Sequence, residues 1–398
     1  MLYVRLEEPV KPKKKPFPFL VYYSAVLVLA LAGMIDSLYL LQSHYRNYTD
    51  MDYRSFCAIS QAINCDTVSQ SPYAIFLDLP VSFWGVLGYL LLLFLVGVSQ
   101  YKKNRQVDLW NLIFVLSLVY SFISLILALV STLYIHAWCI MCILSYGINF
   151  AVSFLSWIIL RRFDTRGRIS GLRSDTQIIR THLWQFLPGF LILISFCLLA
   201  WISLPRYWEM SPPTEIEDLN KGETTEGYPW IGAENPEITI TEFSDYMCFQ
   251  CRKMHFFLRQ LVVQHPQRIR LIHRHFPMDR QYNPLVNDDY HSGAGKMAMI
   301  ALYAQAKGQF WRVNDLLFDI ASKKQDFNTR TFAAFMDVEK AEIVAALDYK
   351  PLRLRLKHDI AVGIDQGITG TPGFLIDGKV HLGTIPEGVL KKMIAENE

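Results

Sequence analysis

The chain has 398 residues, 52% of them hydrophobic, and a formal net charge of +3. That length allows two domains, and that apolar share is high for a protein living wholly in water. The charge is too small, and its basic residues too confined to particular segments, to make a nucleic-acid-binding face.

Five apolar stretches are long enough, at about 1.5 Å per residue, to cross a hydrocarbon layer roughly 30 Å thick. They run from Phe19 to Leu41, Val81 to Val98, Leu109 to Ile135, Trp138 to Leu160 and Trp184 to Leu204. The first is expected as a retained span, because its apolar run is too long for a leader and no small-residue cleavage pattern precedes the next loop. Basic residues cluster in alternate connecting segments: Lys11, Lys13, Lys14 and Lys15; Lys102, Lys103 and Arg105; and Arg161, Arg162, Arg166, Arg168, Arg173 and Arg180. Short basic loops stay on the cytoplasmic side. The loop after the first span instead holds Asp50, Asp52, Asp66 and Asp78 against Arg46 and Arg54, so the amino terminus is expected inside and everything after Leu204 outside.

Beyond the fifth span, Pro212-Pro213-Thr214-Glu215 opens a polar run that ends near Gly227 and reads as a linker. A soluble domain is expected from Tyr228. Within it Ile238 to Phe243 alternates like a strand, and Arg252 to Gln264 has helical apolar spacing. Arg268 to Phe276 reads as a second strand, and His291 to Gly363 as mostly helical. Gly373 to Ile376, the Asp377-Gly378 turn and Lys379 to Leu382 read as a hairpin, and Pro386 as the start of a closing helix. The expected division is therefore 1–18 basic segment, 19–160 four-helix membrane domain, 161–183 basic loop, 184–204 fifth span, 205–227 linker and 228–398 soluble domain.

Of the seven cysteines, the topology puts six on or near the external face: Cys57 with Cys65, Cys139 with Cys142, and Cys248 with Cys251. Cys197, alone in the fifth span, reads as an ordinary buried side chain. On an oxidising side, cysteines are expected as structural or catalytic disulfides rather than metal ligands. Cys248-Phe249-Gln250-Cys251 follows a predicted strand and opens a predicted helix, where free backbone amides and the helix dipole stabilise a thiolate on the first cysteine. Cys248 is then the nucleophile of an exchange reaction; the plainer alternatives are a structural staple or half a zinc knuckle. Cys139-Ile140-Met141-Cys142 stands at the external end of the fourth span, at a depth a lipid-soluble oxidant reaches. Tyr146, one turn beyond Cys142, is either a hydrogen-bond donor to the carbonyl of a bound ring or an interfacial anchor. Cys57 and Cys65 either meet as a mobile disulfide that shuttles, or join Cys139 and Cys142 in a four-thiolate zinc site. No metal is expected, since that side is oxidising.

These residues resemble two known families joined end to end. The membrane half, roughly Phe19 to Leu160, resembles the vitamin K epoxide reductase family in the pair Cys57 and Cys65, in Ser71 six residues later, in Trp84-Gly85, and in Cys139-Ile140-Met141-Cys142 followed by Tyr146 and Asn149. A fifth span follows, as in bacterial fusions. The soluble half resembles the DsbA-like branch of the thioredoxin superfamily. Thr371-Pro372 would be the cis-proline loop facing the CxxC pair, and Glu242 matches a buried carboxylate that takes a proton from the second cysteine. On pattern alone Glu242 is equally a solvated strand residue. Phe249-Gln250 stand where strongly oxidising members carry Pro-His.

The resemblance implies an all-α membrane bundle, a four-helix core plus a fifth transmembrane helix, followed by an α/β thioredoxin-like domain. It also implies a thiol-disulfide oxidoreductase that uses a quinone of the ubiquinone or menaquinone type and supports disulfide formation. Electrons would pass from exported proteins with cysteine thiols to Cys248/Cys251, then Cys57/Cys65, then Cys139/Cys142, and on to the membrane quinone pool. Cys142 would face the quinone, and Ser71 and Tyr146 would polarise its carbonyls. The expected location is a bacterial cytoplasmic membrane, with the thioredoxin-like domain outside. Two other readings stay open: the same relay run outward as a reductase or isomerase, and a metal- or thiol-binding membrane protein without turnover. Asp36, a carboxyl inside the first span, reads either as a structural hydrogen-bonding group or as a proton carrier.

Overall fold

The structure is a computed structural model that describes residues 17–60, 62–100, 107–213, 219–323, 328–386 and 388–390. The basic segments at Lys11 to Lys15 and at Lys102, Lys103 and Arg105 lie outside the described residues, as do Glu215 and most of the closing helix expected after Pro386. The chain divides into two compact units: one holds the residues up to His44, Ser55–Ser69 and Tyr73–Pro205; the other holds Tyr45–Arg54, Gln70–Pro72 and everything from Arg206 on.

The first unit contains α1 (Phe19–Thr49), the short α2 (Cys65–Ser69), a small hairpin of β1 (Ile75–Phe76) and β2 (Leu79–Pro80), then α3 (Val81–Ser99), α4 (Trp110–Val130), α5 (Ile140–Phe163), α6 (Arg168–Thr181) and α7 (Leu183–Ser203). Among the described residues α1, α3, α4 with its π-helical continuation to Ile135, α5 and most of α7 are long and apolar enough to cross a membrane. Apolar helices in lipid gain little from each other's hydrophobicity, so small residues and polar side chains hold them together. Gly33 is one such residue: a Cβ there would collide with the ring of Tyr89. The Tyr89 hydroxyl donates to Asn149 Oδ1 at 2.8 Å, Asn149 Nδ2 donates to Ser124 Oγ at 2.9 Å, and Ser121 pairs with Ser153 at 2.9 Å, tying α3, α4 and α5.

The segment 161–183, expected as a loop, instead contains the helix α6. Charge rather than hydropathy anchors it, which is why an apolar periodicity does not announce it. Asp175 is fully buried and accepts the backbone N–H of Asn111 at 3.0 Å, while Arg166 bonds Asp164 at 2.9 Å and lies 3.7 Å from Asp175.

In the second unit a six-stranded sheet runs in the order β3-β4-β6-β5-β7-β8, with β3 (Lys221–Glu223), β4 (Pro229–Gly232), β5 (Ile238–Ser244), β6 (Ile269–His275), β7 (Gly373–Ile376) and β8 (Lys379–Leu382). Only β5 and β6 pair in parallel, joined through α8 (Phe249–Gln264) as a β-α-β unit. The helices α9 (Ala294–Ala306), α10 (Phe310–Ser322), α11 (Thr329–Met336), α12 (Lys340–Asp348) and α13 (Lys350–Asp365) separate β6 from the β7-β8 hairpin. The sheet starts earlier than the Tyr228 boundary, because Lys221-Gly222-Glu223 pairs with β4 as an edge strand. Its polar, partly exposed side chains carry no apolar alternation. The core around Ile240, Leu258, Leu271, Phe318 and Phe374 fixes where β5 ends and α8 begins.

Candidate active site: two CxxC turns and a loop disulfide

In the first unit Cys57 and Cys65 are joined as a disulfide, their Cα atoms 5.6 Å apart. Both are buried with Cys139 in one small apolar cluster, against which Leu40, Val68, Met141 and Cys142 pack. The loop is held there by bonds between the N–H of Asn64 and the carbonyl of Trp138 at 2.9 Å, and between the N–H of Trp138 and the carbonyl of Ala62 at 2.8 Å. Two of the four sulfurs are thereby committed to each other, and a four-thiolate zinc site would need that bond reduced first. Cys139 caps α5 in an extended conformation, its Sγ accepting the N–H of Cys142 at 3.2 Å. Tyr146 lies within electrostatic reach of both thiols. Next to it, Ser145 donates to Asp36 Oδ2, while the buried Oδ1 of Asp36 has no partner. Ser71 is buried too, but by its contacts it belongs to the second unit. Cys197 is a half-buried free thiol of α7.

The same turn recurs in the second unit. Cys248 caps α8, its Sγ accepting the N–H of Cys251 at 3.2 Å, and it approaches the carbonyl of Thr371 at 3.7 Å, beside the cis peptide Thr371-Pro372. Burial pushes the Cys248 thiol up, but the hydrogen bonds from Cys251 and the charge of His291 outweigh it, leaving the thiol below its ordinary value. Cys251 is driven well above its ordinary value by burial and by the adjacent thiolate. The pair is thus asymmetric, with Cys248 the sulfur that gives up its proton more readily, as an exchange reaction needs.

Glu242 is buried, which removes the solvated-strand alternative. Its Oε1 accepts from His255 Nδ1 at 2.5 Å and from His273 Nδ1 at 2.6 Å. Burial pushes the Glu242 carboxyl up, and the two imidazoles pull it down by more, so it stays ionised. Burial holds His255 below its ordinary value. Its Nε2 then accepts from Asn314 Nδ2 at 2.9 Å, with the amide oriented by the Tyr246 hydroxyl at 2.9 Å. These three groups are the candidate metal-ligand cluster among the described residues. Their 2.5 and 2.6 Å separations are hydrogen-bond distances. Ligand atoms each about 2.1 Å from one tetrahedral ion would stand more than about 3 Å apart.

His275 stands beside this network with both ring nitrogens buried and unpartnered, and burial holds it well below its ordinary value. The unfolded imidazole takes up a proton below about pH 6.5 while the folded one does not, so this residue costs stability as pH falls. His275→Phe is expected to stabilise the detergent-solubilised protein by about 1–2 kcal/mol at neutral pH, read as a higher melting temperature. The gap should widen on acidification; a gap that narrows below about pH 6.5 would contradict the assignment.

Residues 24–157 match the vitamin K epoxide reductase family and residues 224–396 match a thioredoxin family. The chain carries a vitamin K epoxide reductase domain followed by a thioredoxin domain. The two α5 thiols and the loop disulfide lie in the reductase domain; Cys248, Cys251 and the cis peptide lie in the thioredoxin domain. A thioredoxin-like oxidoreductase from Silicibacter pomeroyi is similar at 20% identity and a TM-score of 0.35, over 42% of this chain and 90% of that one. DsbA2 of Pseudomonas aeruginosa is similar at 21% identity and a TM-score of 0.33, over 42% of this chain and 91% of that one. Among curated proteins, Na(+)/H(+) antiporter NhaA 3 of Salinispora tropica is 24% identical over 38% of this chain and 22% of its own length. NhaA of Herminiimonas arsenicoxydans is 24% identical over 58% and 34% respectively. The chain thus spans 22% to 34% of the length of these curated relatives. The two domains support thiol-disulfide oxidoreductase chemistry in a membrane setting.

Sequence reading does not find Asp245, His255, His273, His291 or Asn314. An Asp three residues before the CxxC was a visible signal for the first. The others become site residues only through contacts across the fold.

Proposed function

We propose that the chain is a quinone-linked thiol-disulfide oxidoreductase that oxidises thiols of exported proteins. The observation that carries this reading is the buried contact of the Cys57–Cys65 disulfide with Cys139 in a chain that also holds an asymmetric thioredoxin pair. In this scheme a client thiolate attacks Cys248 Sγ, and the Cys248–Cys251 bond breaks with its electron pair on Cys251, which takes a proton. A second client thiolate resolves the mixed disulfide, releasing Cys248 as a thiolate. Cys248 then attacks Cys57, freeing Cys65 to attack Cys139 of an oxidised Cys139–Cys142 pair, with Cys142 as the leaving thiolate. Cys248–Cys251 is in turn reoxidised as Cys251 attacks Cys248 and expels Cys57, and Cys57 then attacks Cys65 and expels Cys139, restoring the loop disulfide and leaving Cys139 and Cys142 reduced.

A bound quinone supplies the two-electron acceptor that lets the cycle repeat. The residues around Cys142 fit such a group: the phenol of Tyr146 is a donor for a ring carbonyl, and the unpartnered Asp36 Oδ1 is an acceptor for an O–H. Ser71, the second donor that the resemblance implies, belongs to the other unit by its contacts and is not counted in this fit. The working domains are 19–160, 184–204 and the soluble part expected from 228, here extended to the edge strand at Lys221. The membrane proposed is a bacterial cytoplasmic one, and the placement of the basic loops favours the orientation with the thioredoxin domain outside. Fusion keeps donor and acceptor thiols at roughly millimolar effective concentration.

Purified protein in detergent, given a water-soluble quinone and a reduced dithiol peptide, is expected to oxidise the peptide only when quinone is present. Absence of quinone consumption would remove the reading. A redox titration of Cys248–Cys251 separates oxidation from outward reduction, and labelling of intact cells from outside should reach the thioredoxin domain.

A further inference from the structure

The thiolate that Cys248 presents needs a positive partner, and the dipeptide between the cysteines, Phe249-Gln250, carries none. An imidazole within electrostatic reach of the sulfur stands in the loop before α9. His291 Nδ1 sits 2.9 Å from Asp245 Oδ2, with the imidazole 13% exposed and the carboxylate wholly buried. Asp245 lies three residues before Cys248 and its carbonyl accepts the Cys248 N–H at 3.1 Å. Its carboxylate is itself fixed by the N–H groups of Met247 at 2.7 Å and Met278 at 2.6 Å. The loop carrying the imidazole is pinned as firmly: Asp279 Oδ2 accepts from the N–H of Gly293 at 3.0 Å and of Gly295 at 3.1 Å, and the His291 N–H bonds the Met278 carbonyl at 3.3 Å. Tyr290 stacks on the imidazole with ring centroids 4.0 Å apart. One carboxylate therefore sets both the turn that carries the sulfur and the ring that answers it.

We propose that His291, oriented by Asp245, is the cationic partner that stabilises Cys248 as the leaving thiolate during exchange. This rests on the exchange reading above and deepens it. Because the Asp245 carboxylate only accepts, His291 Nδ1 is a donor, and Nε2 is the atom that gains the proton. When a client dithiol is oxidised, its two electrons reduce the Cys248–Cys251 bond. Of its two protons, one rests on Cys251 Sγ and the other on His291 Nε2, leaving Cys248 as the thiolate of an ion pair. Asp245 and Asp279 add negative charge at the imidazole, and burial opposes them; the net effect raises His291 above its ordinary value. His291, Asp245, Cys251 and Tyr290 lie within electrostatic reach of Cys248. Among these His291 is the cation.

The test uses the reduced full-length protein in detergent, with alkylation of Cys248 by iodoacetamide followed peptide by peptide across pH. His291→Ala is expected to slow alkylation about tenfold near pH 6, to move the midpoint up by about one unit, and to converge with the wild type above about pH 9. His291→Arg, which keeps the charge, should retain most of the wild-type profile. In glutathione buffers the Ala variant should favour the Cys248–Cys251 disulfide about tenfold more than the wild type. An unchanged profile in His291→Ala, or an equal loss in His291→Ala and His291→Arg, overturns the inference while leaving exchange at Cys248 standing. Wild-type Cys248 that resists alkylation below the ordinary thiol range would instead remove the parent reading, and this one with it.

Discussion

Cys142→Ser is expected to stop quinone-dependent peptide oxidation, by about a thousandfold or more, while the Cys248–Cys251 pair still equilibrates with glutathione. The loop disulfide packs on Cys139, the inner member of the α5 pair that is buried with it. A thiolate released at Cys65 can therefore attack Cys139 of the oxidised α5 pair and expel Cys142, after which Cys57 attacks Cys65 and expels Cys139, leaving the α5 pair reduced. Cys197, the remaining free thiol of the first unit, lies in α7 rather than in this cluster. With Cys142 replaced, Cys139 has no partner to pair with, and its thiolate can attack Cys65 of the loop disulfide and release Cys57; the Cys65–Cys139 cross-link so formed, with no Cys142 to resolve it, should be recoverable as a linked peptide pair after digestion without reductant. Turnover at the wild-type rate in this variant would show that the two α5 thiols are not on the route.

Glu242→Leu is expected to lower stability by about 3–5 kcal/mol, on the order of 10 °C in melting temperature for a unit of this size. The carboxylate takes two imidazole N–H groups in a site where it is 2% exposed and both rings are as closed to water. Leucine keeps the volume but leaves two buried donors unanswered, the costly half of a broken pair. Glu242→Gln should lose much less, because its carbonyl oxygen still accepts while only the charge is gone. The carboxyl is held below its ordinary value, so its contribution is present above about pH 4.5 and disappears as acid protonates the folded carboxyl. Melting curves of the wild type and both variants between about pH 2 and pH 7 measure this, and equal losses for Leu and Gln would assign the effect to something other than the two hydrogen bonds.

Much of this architecture was legible before any coordinates. The spans were visible because a helix in lipid must be apolar on every side, and the CxxC positions because a strand followed by an amphipathic helix marks the turn between them. The β7-β8 hairpin falls where the Asp377-Gly378 turn put it, residue for residue. Legibility failed where structure rests on single polar contacts. The α6 helix depends on Asp175 answering the backbone of Asn111, 64 residues away, and β3 is an edge strand with no apolar alternation. The imidazoles around Glu242 lie 13 and 31 residues from it, and His291 lies 46 from Asp245. Spacings of that kind carry no local period, so no motif names them.

Cys139 and Cys248 are poised by the same local device, an extended cysteine whose sulfur takes the amide of the cysteine three residues on at 3.2 Å in both turns. A device common to both pairs cancels from the difference between them. Burial and side chains outside either motif are then what can bias one pair against the other, with every tenfold bias in equilibrium amounting to about 30 mV. A lineage can retune such a wire at the imidazole of one loop and leave both hinges of the circuit untouched.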